Sequence, residues 1–203
     1  MKETTPSGMF YDRNIEGMWV MGEGAVYRDF DAKIHYISRA ELRKVNFVKY
    51  IAGVDWGYEH FGAIVLIGKD DQGIYYLIRE VARQFEEIDF WLEQAQVIKA
   101  EYGNIPFYCD SARPEYVKKF KQNGLRAINA NKAVLSGIER VARLYKQNKL
   151  RIVDDVDRFR DEVYMYVWNE KTGEPVKQFD DVQDAIRYAI YTDENRGGIS
   201  ILK

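Results

Sequence analysis

Tyr50-Ile-Ala-Gly-Val-Asp-Trp-Gly57 is a short apolar run that closes on a carboxylate. Its small and β-branched residues predict a buried strand from Tyr50 to Asp55. A charge at the end of such a run is costly unless it is paired or bound to metal. The Trp56-Gly57 that follows predicts a tight exit from the strand rather than the start of a helix. Asp55 is therefore a candidate metal-binding carboxylate at a strand end.

Two further β-rich runs follow, Gly62 to Gly68 and Ile74 to Val81, with Lys69-Asp-Asp-Gln-Gly73 between them as a hairpin turn. Three consecutive antiparallel strands are expected. Ile88, Trp91, Leu92, Ala95 and Ile98 then recur at helical spacing over Glu86 to Tyr102. Pro106 to Cys109 reads as a strand, and Pro114 opens a basic helix to Gln122, with Gly124 as its stop. A strand over Leu125 to Ile128, a helix from about Leu135 to Asn148 and a strand over Leu150 to Val153 come next. Helical patterns over Arg158 to Trp168 and Asp181 to Tyr191 flank a turn at Asn169 to Pro175. Antiparallel strands followed by alternating helices and strands give an α/β fold, a mixed sheet with flanking helices in the ribonuclease H-like order.

Residues 1 to 46 carry few periodic signals and read as a linker or arm, so the compact domain is expected over 47 to 203. The 203 residues are 46% hydrophobic and 31% charged, as in a globular chain with one core. The single cysteine, Cys109, has no partner for an internal disulfide, which fits a reducing compartment. No run approaches the roughly 18 consecutive apolar residues of a membrane span. A net charge of −2 argues against binding driven by bulk charge, but basic residues gather between Arg113 and Arg151. A positive face beside an acidic centre is the alternative to ordinary solvated helix faces.

The acids carry the chemistry. Asp110 ends the strand after the first long helix, and parallel strand ends at one sheet edge form a natural site. Its rival reading is a cap for the helix that Pro114 opens. Asp184 lies beside the buried stripe of the last helix and shares a face with Asp181, which is the reserve, whereas Asp193 points to the opposite side. Asp180 reads best as the helix cap, with Gln183 three residues on. Converging carboxylates with few histidines suit Mg²⁺ or Mn²⁺, and two such ions about 4 Å apart would hydrolyse a phosphodiester without a protein nucleophile. Lys132, in Asn129-Ala-Asn-Lys132 after the fifth strand, is a candidate phosphate contact with a solvated loop lysine as its rival reading, and Arg113, Arg140, Arg143 and Lys171 are further candidate DNA contacts. His35 and His60 have no partners at ligand spacing. Asp154, Asp155 and Asp157 read as a solvated acidic loop.

Four short segments together resemble a known family: Ile51-Ala-Gly-Val-Asp-Trp-Gly57, Phe107-Tyr-Cys-Asp-Ser111, Asn131-Lys-Ala-Val-Leu-Ser-Gly-Ile138 and Asp181-Val-Gln-Asp-Ala-Ile-Arg-Tyr188. Their order is similar to that of the nuclease domain of the large terminase subunit of tailed bacteriophages, siphophage type, of Gram-positive hosts. Gly17 to Tyr27 also looks like that family's connection between motor and nuclease. The resemblance implies a metal-dependent endonuclease that cuts concatemeric viral DNA during packaging, in the host cytoplasm. Asp55, Asp110 and Asp184 would be its metal-binding acids, holding two divalent cations, with Asp181 where many relatives have a histidine. It also implies double-stranded DNA, the terminase ATPase domain, the small terminase subunit and the portal as partners. No Gly-x-x-x-x-Gly-Lys-Ser/Thr loop occurs, so the nuclease part without ATP hydrolysis is expected. A Holliday-junction resolvase and a docking module without catalysis are the rival functions.

Overall fold

The computed structural model describes residues 24–197. Three short pieces come first: α1 (Ala32–His35), β1 (Tyr36–Ile37) and α2 (Arg39–Leu42). The expected meander follows as β2 (Phe47–Asp55), β3 (Gly62–Asp70) and β4 (Tyr75–Arg83). Then come α3 (Ile88–Tyr102), β5 (Pro106–Cys109), α4 (Pro114–Gln122), β6 (Arg126–Asn129), α5 (Val134–Lys146), β7 (Leu150–Val153), α6 (Asp157–Met165) and α7 (Asp181–Gly197). The strands form one sheet in the order β1-β7-β4-β3-β2-β5-β6. Only β3 runs against its neighbours. This is the ribonuclease H-like mixed sheet that the pattern predicts.

Side-chain alternation sorts the helices onto two faces. Phe107 of β5 meets Phe120 of α4 with ring centroids 6.1 Å apart, so α4 covers one face. Trp91 of α3 lies on that side too, filling the space that a side chain at Gly62 would need. Tyr108, the next residue of β5, points the other way and donates its hydroxyl to Asp193 of α7 at 2.7 Å. Helix α7 lies directly on β2. A Cβ at Gly53 would stand 1.9 Å from the carbonyl oxygen of Ala185, so only a residue without a side chain fits there.

The described part of the expected arm is woven into the fold. β1 adds to the sheet edge by pairing Tyr36 with Ile152 of β7. Tyr27 and Phe30 are buried, with ring centroids 5.3 Å from Tyr145 and 5.7 Å from Phe159 respectively. These pieces are two to four residues long, too short to show a periodicity. Residues 1–23, with most of the Gly17 to Tyr27 segment, lie outside the described residues.

The helix expected over Arg158 to Trp168 stops at Met165. Tyr166 turns to extended backbone because the chain beyond it pairs with other segments, Val167 with Ala25 and Trp168 with Pro175. Tertiary pairing therefore overrides the helical pattern at this end. Among the described residues no helix is long and apolar enough to cross a membrane.

The contact at Gly53 yields a stability prediction. Gly53→Ala forces α7 away from β2 and should cost about 3 kcal/mol or more in urea unfolding, at the upper end of overpacking effects. A loss below about 1 kcal/mol would mean that α7 is not seated on this strand.

Candidate active site

The register of two parallel strands puts two of the acids side by side. Gly53 pairs with Tyr108, and the backbone N–H of Asp110 donates to the carbonyl of Val54 at 2.8 Å. Two residues on from Gly53 and Tyr108, Asp55 and Asp110 therefore leave neighbouring strand ends on the same face. That face carries α7. Ala185 sits over Gly53, and Asp184, one residue earlier in the first turn of the helix, reaches the same place. Asp55, Asp110, Asp181 and Asp184 all line one open cleft of about 970 Å³.

Trp56 ties the two strand ends together. It follows Asp55, so it points to the opposite face, where its ring stands 5.3 Å from Tyr116 and 5.2 Å from Phe120. Its indole N–H donates to the Asp110 carbonyl at 2.8 Å. The loop after β6 is fixed against α7 in a similar way. The N–H of Asn131 donates to the Thr192 hydroxyl at 2.8 Å, and the Arg187 guanidinium donates to the Ala133 carbonyl at 3.2 Å. Lys132 is thereby held with its amine 2.6 Å from Oδ1 of Asp110.

Asp110 is not a helix cap. Its Oδ1 accepts the N–H of Ala112 at 3.1 Å in a turn that precedes α4, whose cap position is Arg113 without a side-chain cap bond. The expected cap at Asp180 also needs correction. The amides of Val182 and Gln183 donate to Oε2 of Glu162, at 2.8 and 3.1 Å. Asp180 instead faces Lys177 at 3.4 Å. A buried carboxylate from another helix has taken the groups that a local cap would satisfy.

Asp184 has the most partners. Arg187, almost fully buried, stands 2.8 Å from its Oδ2, while Lys177 and the Tyr188 hydroxyl each lie 3.5 Å away. Asp181 receives the guanidinium of Arg158 at 3.1 Å. Among the described residues, the Asp55 carboxylate has neither a hydrogen-bond nor an ion-pair partner. Burial raises its pKa well above the usual carboxylate range, and repulsion from Asp184, Asp110, Asp181 and Asp180 adds to the shift. Burial works against the charge of Lys177, but Asp184 and Asp180 outweigh it and hold the amine above its ordinary value.

Six acidic side chains line the cleft against four lysine and arginine side chains, with Arg187 paired to Asp184 from behind. No three acid, imidazole or thiol side chains among the described residues stand in a ready-made coordination shell. The donors are oxygen atoms, and one of the acids lacks any cation of its own, so the set suits a hard divalent ion.

The family described as "Terminase RNaseH-like domain" matches residues 52–192. The chain belongs to this family. Its structure is similar to that of a large terminase from a thermophilic bacteriophage, at 26% identity over 93% of this chain, with a TM-score of 0.73. It spans 49% of that protein. It is also similar to the P22 large terminase nuclease domain, at 20% identity over 87% of this chain and 95% of that one, with a TM-score of 0.71. A third likeness is to the g2p (large terminase) nuclease domain from bacteriophage SPP1 with bound Mn. There the identity is 19% over 83% of this chain and 99% of that one, and the TM-score is 0.64. No curated protein matches the chain.

The terminase fold gathers some of the sequence-predicted site residues and separates others. Asp55, Asp110, Asp184, Asp181, Lys132 and Arg113 line the cleft. Arg140, Arg143 and Lys171 do not. Arg140 is engaged by Glu194, with a contact of 2.7 Å, and Arg143 pairs with Glu139 on its own helix. Asp155 is bonded to Arg39 at 2.8 Å and Asp157 faces Arg160, as suits a solvated acidic loop. Sequence reasoning missed Arg158, Tyr188 and His60, which also line the cleft. A helix wheel places Tyr188 one turn beyond Asp184, which was an available signal. Nothing local marks Arg158.

The raised pKa of Asp55 sets a pH dependence for the cation-free chain. The folded state holds this proton more tightly than the unfolded chain, so the contribution to stability is full below the unfolded value and is lost as pH rises. In chelator, Asp55→Asn should become more stable relative to the wild type as pH rises from about 5 to about 8, by at most about 1.4 kcal/mol per pH unit. Thermal melts of the two proteins check this. A pH-independent difference would place Asp55 outside the acid cluster.

Proposed function

We propose that this terminase domain is a metal-dependent DNA endonuclease that cleaves concatemeric viral DNA during genome packaging, by two-metal-ion phosphodiester hydrolysis. The observation that carries the reading is the convergence of Asp55, Asp110 and Asp184 in one open cleft. These three acids would hold the cations, and Asp181, tied to Arg158, takes a supporting part. When bound, divalent ions supply an activated water and stabilise the leaving oxygen. The g2p nuclease domain with bound Mn supports the choice of a divalent ion.

The residues of the chain itself position the substrate. Lys132 and Lys177, now against Asp110 and Asp184, are the amines nearest to where a phosphate would enter. Arg113, about half exposed at the rim, extends the positive charge along the backbone of double-stranded DNA. The exposed Arg143 and Lys171 are at most peripheral contacts, and Arg140 is left out because Glu194 holds it. By family, the terminase ATPase domain, small subunit and portal are the protein partners, in the host cytoplasm.

Plasmid cleavage with Mg²⁺, Mn²⁺ or chelator tests the proposal. Cutting should require the cation, and Asp55→Asn, Asp110→Asn and Asp184→Asn should each lower the rate on the order of a thousandfold, equivalent to about 4 kcal/mol of transition-state stabilisation. Undiminished cutting by all three variants refutes the mechanism. Cleavage confined to a four-way junction would favour the resolvase reading instead.

A further inference from the structure

Two carboxylates that play no part in the chemistry above each seat the first turn of a helix not their own. Glu80 of β4 accepts the N–H of Arg158 at 2.7 Å and that of Phe159 at 2.9 Å, at the start of α6. Glu162, further along α6 and fully buried, accepts the N–H groups of Val182 and Gln183 at the start of α7. The first amides of a helix have no partner within it, and a carboxylate satisfies them well because the helix dipole is positive there. Each glutamate thus fixes the entry of a helix that follows it in the chain.

Arg158 closes the arrangement. Its Nε donates to Oε1 of Glu162 at 2.8 Å, and Nη2 donates to Oδ2 of Asp181 at 3.1 Å. The guanidinium lies 3.8 Å from the ring centroid of Phe61, in the loop after Asp55. The path from β4 through α6 to α7 therefore ends one residue short of Asp184, whose own N–H bonds the Asp180 carbonyl. A carboxylate on the first turn can move no less than the turn that carries it.

We propose that Glu162 is a positioning residue for Asp184, with Glu80 setting the helix from which it acts. The inference rests on the reading of Asp184 as a metal ligand. Groups that orient a ligand from behind it typically change metal affinity by about 10- to 100-fold when removed. Glu162→Ala removes both the amide acceptor and the partner of Arg158. Glu162→Gln keeps an oxygen for the amides but loses the charge that faces Arg158.

The test is a Mn²⁺ titration followed by electron paramagnetic resonance, alongside plasmid cleavage at the same Mn²⁺ concentrations. Glu162→Ala should shift both midpoints upward by about tenfold or more, with Glu162→Gln intermediate. Asp193→Asn is the stability control, because it breaks a cluster with Lys49 and Tyr108 well along α7 from Asp184. It should lower the melting temperature and leave both midpoints where they are. If Glu162→Ala fails to fold, Glu162→Gln decides. Wild-type midpoints in the Glu162 variants, or an equal shift in Asp193→Asn, overturn the role of Glu162 alone. A wild-type chain that neither binds Mn²⁺ nor cuts overturns the nuclease reading and this role with it.

Discussion

A helix can lie against a strand at backbone distance only where the strand offers no side chain, and β2 offers that place at Gly53. The position of α7 follows from this contact, since the carbonyl of Ala185 fills the space that a Cβ would take. Asp184 is the neighbour of Ala185 in one chain segment, and Asp55 lies two residues from Gly53 in the other. A single close approach therefore brings the third acid to the first. The register of β5 against β2 adds Asp110 by the same two-residue step from Tyr108.

Gathering carboxylates in this way is unfavourable in itself, and the fold offsets part of the cost with fixed cations. Arg187 lies behind Asp184 in the core, where losing one member of a buried ion pair would cost about 3–5 kcal/mol. Lys132 and Lys177 come from loops and meet Asp110 and Asp184 from the open side. Among the described residues Asp55 has no such partner, and burial, with the neighbouring acids adding to it, holds its pKa well above the usual carboxylate range. In the proposed reading divalent ions would complete the charge balance, and Lys132 and Lys177 would meet the phosphate.

Much of this was legible in the sequence, for identifiable reasons. Asp55 was conspicuous because it closed an apolar run, and Asp110 because it ended the next parallel strand. As ends of parallel strands the two were expected at one sheet edge, but the register that turns both to one face appears only in the folded sheet. Asp184 followed from the buried stripe of the last helix. The signals that misled were local ones with distant competitors. Asp180 matched a helix cap, but Glu162 from α6 had the amides. Arg140 belonged to a basic run, but Glu194, on another helix, held it. Residues 24–46 joined the core through pieces too short to have a period, with aromatic contacts to Tyr145 and Phe159 that only the folded chain creates.

The central claim is that Asp55, Asp110 and Asp184 make one cation centre, and anomalous diffraction at the manganese edge addresses it without recourse to activity. Crystals grown with Mn²⁺ should show anomalous peaks in the cleft within about 2.2 Å of carboxylate oxygens from all three acids. Peaks found only at other acids, such as Asp154, Asp155 and Asp157, or a cleft without any peak at saturating Mn²⁺, would contradict it.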